Sequence, residues 1–403
     1  MKKLDKQGNK EKKVEWEKIL SYTFIAVLFI IGILMRTPLF HTGLDFQSFD
    51  MTEWYIAWYD YIQSHGILDA LGDKFSDYTP PYLYLLSVMT LLPVPKVLAI
   101  KLMAIIMDFV NAFIIYKIVK FQHRSKLVSL FATGIFLCLP TVFINSTIWG
   151  QVDAIYTGFL LLSLYFLLKE KPLWGVLAFS ISFAFKAQAM FFAPFLAVML
   201  FKKRIELWHL LLVPGVYIIL CLPAVLLGRS WTDVLTIYLQ QGQYFDYLSA
   251  GAPNFYIFIP NQYTQFVWIG LVVAAISLSV WVFFTIKDKR VFDNKKLIQL
   301  ALISLALSPF LLPKMHDRYF YAADVFSLIL AFSAIEFWFL PIAYQIVSGL
   351  AYIGFLLGTP GGIPLFTATS VNTISLLALL KNQFQNLTLS GETAREEKDN
   401  SLL

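Results

Sequence analysis

Charge is scarce in this chain. Asp, Glu, Lys and Arg make up 14% of its 403 residues, against about 25% in an ordinary soluble domain. Hydrophobic residues take 58%, against roughly 45–50%, and mean hydropathy is +0.66. These two departures exclude a soluble enzyme, a disordered protein and a nucleic-acid binder, even though 32 Lys and Arg outnumber 26 Asp and Glu. Cysteine is nearly missing. Cys138 and Cys221 both sit in apolar stretches, so no disulfide framework is implied. Also absent are a glycine-rich phosphate loop, a dinucleotide fingerprint and any Cys/His spacing suited to zinc. Ser308-Pro309 with the distant His316 makes no nucleophile elbow. The first apolar run, Ile19 to Leu34, ends in Met35-Arg36-Thr37 without a small-residue cleavage site. It therefore reads as a spanning helix and not as a signal.

What is there is a series of apolar blocks near the length that crosses a bilayer core as helix. After 19–37 they cover 97–118, 127–147, 153–168, 172–186, 188–201, 205–227, 264–286, 297–312, 319–335, 338–358 and 364–381. The expected fold class is all-α, a polytopic helical membrane protein of about 12 transmembrane or hairpin helices. Tyr78–Leu92 is a further apolar stretch, and the positive-inside rule decides whether it crosses. If it turns back, 24 of the 32 Lys and Arg fall on one side. They lie in the N-terminal tail, in 117–126, 169–171, 202–204 and 287–296, and from Lys381 onward. Pro80-Pro81 at its head and Pro93 and Pro95 at its end favour this re-entrant or interfacial course.

The plan that results has a basic cytoplasmic tail (1–18), one membrane-embedded domain (19–381) and a polar cytoplasmic tail expected to be disordered (382–403). Two long loops, 38–96 and 228–263, fall outside the plasma membrane, and loops of that length are commonly functional. In the first, Met51, Trp54, Tyr55, Trp58 and Ile62 recur at helical spacing. Asp50, Glu53, Ala57, Asp60 and Ser64 form the opposite stripe. The pattern predicts an amphipathic helix lying in the outer interface.

Ionisable groups in or near the membrane are costly and need a reason. This topology brings four distant segments to one face: Asp45, Asp50 and Glu53; Gln151 and Asp153; Lys186 and Gln188; and Lys314 through Arg318. The first loop holds seven Asp and Glu against two Lys, and the cations Lys186, Lys314 and Arg318, with His316, stand opposite. A carboxylate facing cations suits transfer from a phosphorylated donor. The carboxylate takes the proton of an acceptor hydroxyl while the cations hold the departing phosphate. Each residue also has a plainer reading. Asp45 could be a solvated loop acid, Asp50 part of the polar stripe, and Asp153 a helix cap. Tyr78 could shape the turn before Pro80, and Lys186 could snorkel. Asp108 with Lys101 is expected to form a buried structural pair, and Asn254, after Ala252-Pro253, is placed along an acceptor groove.

Here the residues resemble a known family. Asp45-Phe46 before the interfacial helix, then Asp77-Tyr78-Thr79-Pro80-Pro81, is similar to the first luminal loop of GT-C glycosyltransferases. The likeness continues through Asp108, Trp149-Gly150-Gln151-Val152-Asp153, Phe185-Lys186-Ala187-Gln188 and Pro313-Lys314-Met315-His316-Asp317-Arg318-Tyr319. It is strongest toward the catalytic subunit of the GPI mannosyltransferase. The resemblance implies an inverting enzyme that needs no metal or other cofactor and uses a polyprenyl-phosphate-linked hexose, mannose-like or other. Its acceptor would be a hydroxyl of a glycolipid or cell-surface polysaccharide, on the extracytoplasmic face. It assigns the catalytic aspartate to Asp45, with Asp50 second, and donor phosphate contacts to His316 and Arg318. Lys186, Gln188 and Tyr78 join the donor side; Gln151, Asp153 and Asn254 complete the expected site. The reading from another class is a transporter or flippase of a lipid-linked oligosaccharide.

Overall fold

Prolines and polar pairs at the ends of the apolar blocks set the helix lengths. Pro80, Pro140, Pro172, Pro194 and Pro341 each stand in the first turn of a helix, where a missing N–H costs nothing. The computed structural model describes residues 2–37, 46–358 and 362–400, the backbone alone for 2–15 and 386–400. Among these are seventeen α-helices and a two-residue parallel ladder.

The helices run α1 (Lys2–Leu34), α2 (Ile56–His65), α3 (Ile67–Gly72), α4 (Pro80–Met89), α5 (Lys96–His123), α6 (Lys126–Cys138) and α7 (Pro140–Phe143). Then come α8 (Asp153–Leu168), α9 (Pro172–Phe185), α10 (Ala193–Phe201), α11 (Leu212–Leu226) and α12 (Trp231–Gln241). The last are α13 (Tyr263–Lys287), α14 (Asn294–Leu311), α15 (Tyr321–Ser333), α16 (Leu340–Leu356) and α17 (Ile363–Asn400). The protein is an all-α membrane protein, as the apolar blocks imply.

The apolar blocks form helices of unequal length. Among the described residues, six helical stretches are long and apolar enough to cross a membrane: Trp16–Leu34, Lys96–His123, Leu207–Leu226, Tyr263–Lys287, Ile335–Leu356 and Ile363–Gln385. The block expected at 127–147 breaks before Pro140 into two pieces bent by 53°. The blocks at 153–168 and 172–186 become α8 and α9, of 16 and 14 residues. At a rise of about 1.5 Å per residue they fall short of a hydrocarbon core roughly 30 Å thick. The stretch after the twin prolines forms only the ten-residue α4, which is shorter still. The C-terminal tail, expected to be disordered, continues α17 as helix to Asn400. Its Glu392, Ala394, Arg395, Glu396, Glu397 and Lys398 are good helix formers.

The short helices are the buried ones. α8 packs against α5 and α9 and is buried along most of its length, while α14 lies within the core from Leu297 to Phe310. The long helices carry the exposed apolar surface, with Ile219, Leu226, Trp268, Val272 and Ile276 turned outward, as lipid contact requires. One buried ion pair ties the first helix to the rest. Arg36, at the end of α1, meets Asp108 on α5 at 2.7 Å, and Ser146 donates to the same carboxylate oxygen at 2.6 Å. Asp108 is thus structural, but its partner is Arg36 and not Lys101. Two residues seven apart on one helix lie about 10 Å apart along its axis, too far to bond. Lys101 instead donates to the Phe46 carbonyl at 3.3 Å.

Candidate active site

At one end of the bundle the chain repeatedly departs from regular helix, and those departures carry the polar residues. Before α2, the chain makes a wide π turn over Met51–Tyr55. This turn swings Asp50 off the expected solvated stripe and into the interior. Before α8, the run 144–149 is also π-helical and stops at Gly150, whose φ of +78° is left-handed. Glycine adopts that conformation without strain, and a β-carbon there would also crowd the Met51 and Lys101 side chains. That turn presents Trp149, Gln151 and Asp153 together. Lys186 follows the last residue of α9, and a 3-10 turn over Ala187–Phe192 carries Gln188. The loop after α12 is stitched to the loop after α14 by β1 (Ser249–Ala250) and β2 (Met315–His316), paired in parallel. Lys314 N–H donates to the Leu248 carbonyl at 2.8 Å and Asp317 N–H to that of Ala250 at 3.2 Å, which fixes His316, Asp317 and Arg318.

These segments enclose a cavity of about 550 Å³. At its floor the guanidinium of Arg318 lies over the Trp149 ring at 5.5 Å and is shared among three carboxylates. Asp50 stands at 3.3 Å, Asp317 at 3.7 Å and Asp153 at 3.9 Å. Lys186 donates to Asp153 at 2.6 Å, and Asn145 to the other oxygen of Asp153 at 3.0 Å. One oxygen of Asp50 receives the Trp149 indole N–H at 3.2 Å and the Gln151 amide. The Tyr55 hydroxyl donates to Gln151 at 2.9 Å and lies 3.3 Å from the Tyr78 hydroxyl. A relay of polar contacts thus runs from Tyr78 at the cavity wall to Asp50.

Two neighbours are shifted electrostatically. Burial, with the cations Arg318 and Lys186 nearby, pushes the His316 imidazole down to about 3. It is therefore neutral near pH 7 and offers a phosphate one N–H, not a charge. Burial pushes the Asp317 carboxyl up to about 7, and Arg318 only partly offsets it. Asp77, which also lines the cavity, is raised by burial as well.

Most of the residues singled out in the sequence come together here. Asp50, Tyr78, Lys186, Gln188, His316 and Arg318 line the cavity, while Gln151 and Asp153 sit directly behind it. Asp45 lies outside the described residues. Asn254 does not reach the cavity: it is fully buried, caps the 3-10 turn Phe255–Phe258 and donates to the Leu312 carbonyl at 3.3 Å. Asp77 and Asp317, which stood in the sequence motifs beside Tyr78 and Arg318, line the cavity as well. Three groups of lining residues were not foreseen: the aromatic residues Tyr244, Phe245 and Tyr247, Gln241 of α12, and an apolar wall from α16 and α17. The aromatic residues had no periodicity to mark them.

The fold and the site define a polytopic helical membrane protein with an acid-and-base cluster in a cavity at one end of the bundle. Residues 75–312 match the model of glycosyltransferase family 87, which is more than half of the chain, and the chain belongs to that family. No curated protein matches the sequence. Membership supports the glycosyltransferase class expected from the motifs, and a transferase over the transporter reading. It does not support the particular likeness to the GPI mannosyltransferase.

Proposed function

We propose that this glycosyltransferase moves a hexose from a polyprenyl-phosphate-linked donor to a hydroxyl of a glycolipid or cell-surface polysaccharide, with inversion. The observation that carries the reading is Asp50 facing Arg318 at 3.3 Å within one cavity that Lys186 and His316 also line. Asp50 is the base. It takes the acceptor proton as the acceptor oxygen attacks the anomeric carbon, and the bond from that carbon to the phosphate oxygen breaks. Arg318 and Lys186 receive the negative charge of the departing phosphate, Arg318 as a planar fork. His316, being neutral, adds a hydrogen bond. The site faces away from the cytoplasm. In support, α8 starts at Asp153 and ends beside Lys169, and α9 starts beside Lys171 and ends at Lys186, so the basic clusters gather at the far end of the bundle.

Purified protein given a polyprenyl-phosphate hexose and a glycolipid acceptor is expected to release free polyprenyl phosphate. Asp50→Asn should slow release by about 10²–10⁴ while elution and melting stay as in wild type. If Asp50→Asn transfers at the wild-type rate and Asp45→Asn does not, the base is Asp45 and the present assignment fails.

A further inference from the structure

A second cavity, of about 250 Å³, lies at the other end of α14 from the active site. Lys296 in its lining is roughly 22 Å along the helix axis from Leu311, at 1.5 Å per residue. The loop that frames this cavity is firmly tied. Arg290 grips both oxygens of Asp288, at 2.8 and 2.5 Å, and Asp288 is only 2% exposed. Lys202 donates to the Asp288 carbonyl, and Arg204 to that of Phe292 at 2.6 Å. From α17, the Gln383 carbonyl accepts from both Arg290 and Lys296, at 3.1 and 3.3 Å. Buried Gln299 donates to Asn382 Oδ1 at 3.1 Å, so what Asn382 has left is its amide donor.

The acids of the lining are matched or turned to solvent. Asp288 is held by Arg290, Asp293 caps α14 by accepting the Lys296 N–H at 2.8 Å, and Glu336 is exposed. Lys295, Lys296 and Asn382 remain as donors, and Lys287, Lys289 and Lys381 add exposed positive charge nearby. The surroundings are also apolar where water would penalise them. Val291, which lines the cavity, is 90% exposed, and Ile335 and Trp338, on either side of Glu336 and Phe337, are 77% and 60% exposed. Basic groups beside exposed aliphatic side chains and a tryptophan match a membrane interface.

We propose that this cavity binds the headgroup phosphate of an anionic lipid from the leaflet at that end of the bundle. Lys295, Lys296 and Asn382 donate to the phosphate oxygens, and the N-terminus of α14 adds its dipole. The acyl chains pass over Val291 and Ile335. A soluble phosphate would meet the same donors but leave those apolar side chains uncovered, so the lipid is the better occupant. The site takes no part in the transfer step and does not depend on the donor proposed above.

The test is native mass spectrometry of the full chain in detergent, titrated with phosphatidylglycerol, phosphatidylcholine or glycerol phosphate. One phosphatidylglycerol is expected to stay bound. The double variant Lys295→Gln with Lys296→Gln should hold it about tenfold more weakly. Lys287→Gln with Lys289→Gln, which removes the same charge outside the lining, should hold it as wild type does. Asn382→Ala, which removes a donor and no charge, should weaken it as well. Equal weakening in the two lysine pairs, or unchanged affinity in the first pair or in Asn382→Ala, overturns the site. Phosphatidylcholine bound as tightly overturns the anionic headgroup, and glycerol phosphate bound as tightly overturns the lipid.

Discussion

Removing the carboxylate of Asp153 should destabilise the protein far more than an ordinary polar substitution. Asp153 and Lys186 are 0% and 7% exposed and meet at 2.6 Å, so Asp153→Asn leaves an ammonium in the interior with its partner gone. Breaking a buried pair in this way costs about 3–5 kcal/mol. The double variant Asp153→Asn with Lys186→Met removes the stranded charge and keeps the shape. It should recover more than half of that loss, a coupling on the order of 2–3 kcal/mol. Activity should not follow stability. If Lys186 helps to hold the departing phosphate, the recovered double variant still transfers about 10²–10³-fold more slowly than wild type. Chemical denaturation in detergent followed by tryptophan fluorescence gives the first quantity, and release of polyprenyl phosphate gives the second. A double variant no more stable than Asp153→Asn refutes the energetic reasoning. A Lys186→Met protein that transfers at the wild-type rate refutes the functional one.

Arg36→Met should cost about 3–5 kcal/mol, because it strands Asp108, while KM for donor and acceptor stays unchanged in the folded fraction. A variant that melts like wild type would show that the pair contributes nothing net. His316, held down to about 3, is neutral from pH 5 to 8, so the rate profile should carry no inflection of its own. An inflection near the ordinary 6.5 that disappears in His316→Gln contradicts this. Because its folded value is lowered, the stability His316 contributes is present above 6.5 and is lost as pH falls toward 3. Asp317 works in the opposite sense. Its raised value, about 7, means a contribution fully present below 3.8 and lost as pH rises through 7. Asp317→Asn should therefore flatten the fall in melting temperature between pH 5 and 8; an equally steep fall in the variant would falsify the shift.

How much of this was legible in the sequence depended on whether a residue's role followed from local spacing. Helical class and a break in the helix pattern at Pro80-Pro81 did, because apolar length and proline act within a few residues. Asp50 did not, since helical spacing places it beside Glu53 on a solvated stripe and the π turn over Met51–Tyr55 changes that register. The same turn leaves Trp54, on the expected buried stripe, partly exposed. Arg36 was hidden for another reason. Its partner is 72 residues away, whereas Lys101 offered a nearer but geometrically impossible one. The apolar cavity wall from α16 and α17 had no signal at all. Leu350, Ala351 and Leu365 line a cavity, but along the chain they look like the lipid-facing residues beside them.

The charge arrangement also bears on the order of events in the proposed reaction. Three carboxylates, Asp50, Asp153 and Asp317, surround two cations, Arg318 and Lys186. Without donor the cluster is balanced only when Asp317 holds its proton, which its value of about 7 allows near neutrality. A phosphate adds negative charge to this floor and competes with Asp50 for the same guanidinium. Arg318 has five N–H donors, more than Asp50 alone engages, so it can receive the phosphate before it gives up Asp50. As the phosphate takes over, Asp50 keeps its contacts with Trp149 and Gln151 and is released from the guanidinium. In the proposed reaction, the acid that opposes Arg318 in the empty site is thus freed for the acceptor hydroxyl by the arrival of the donor. An acceptor that enters first meets a carboxylate still engaged with Arg318.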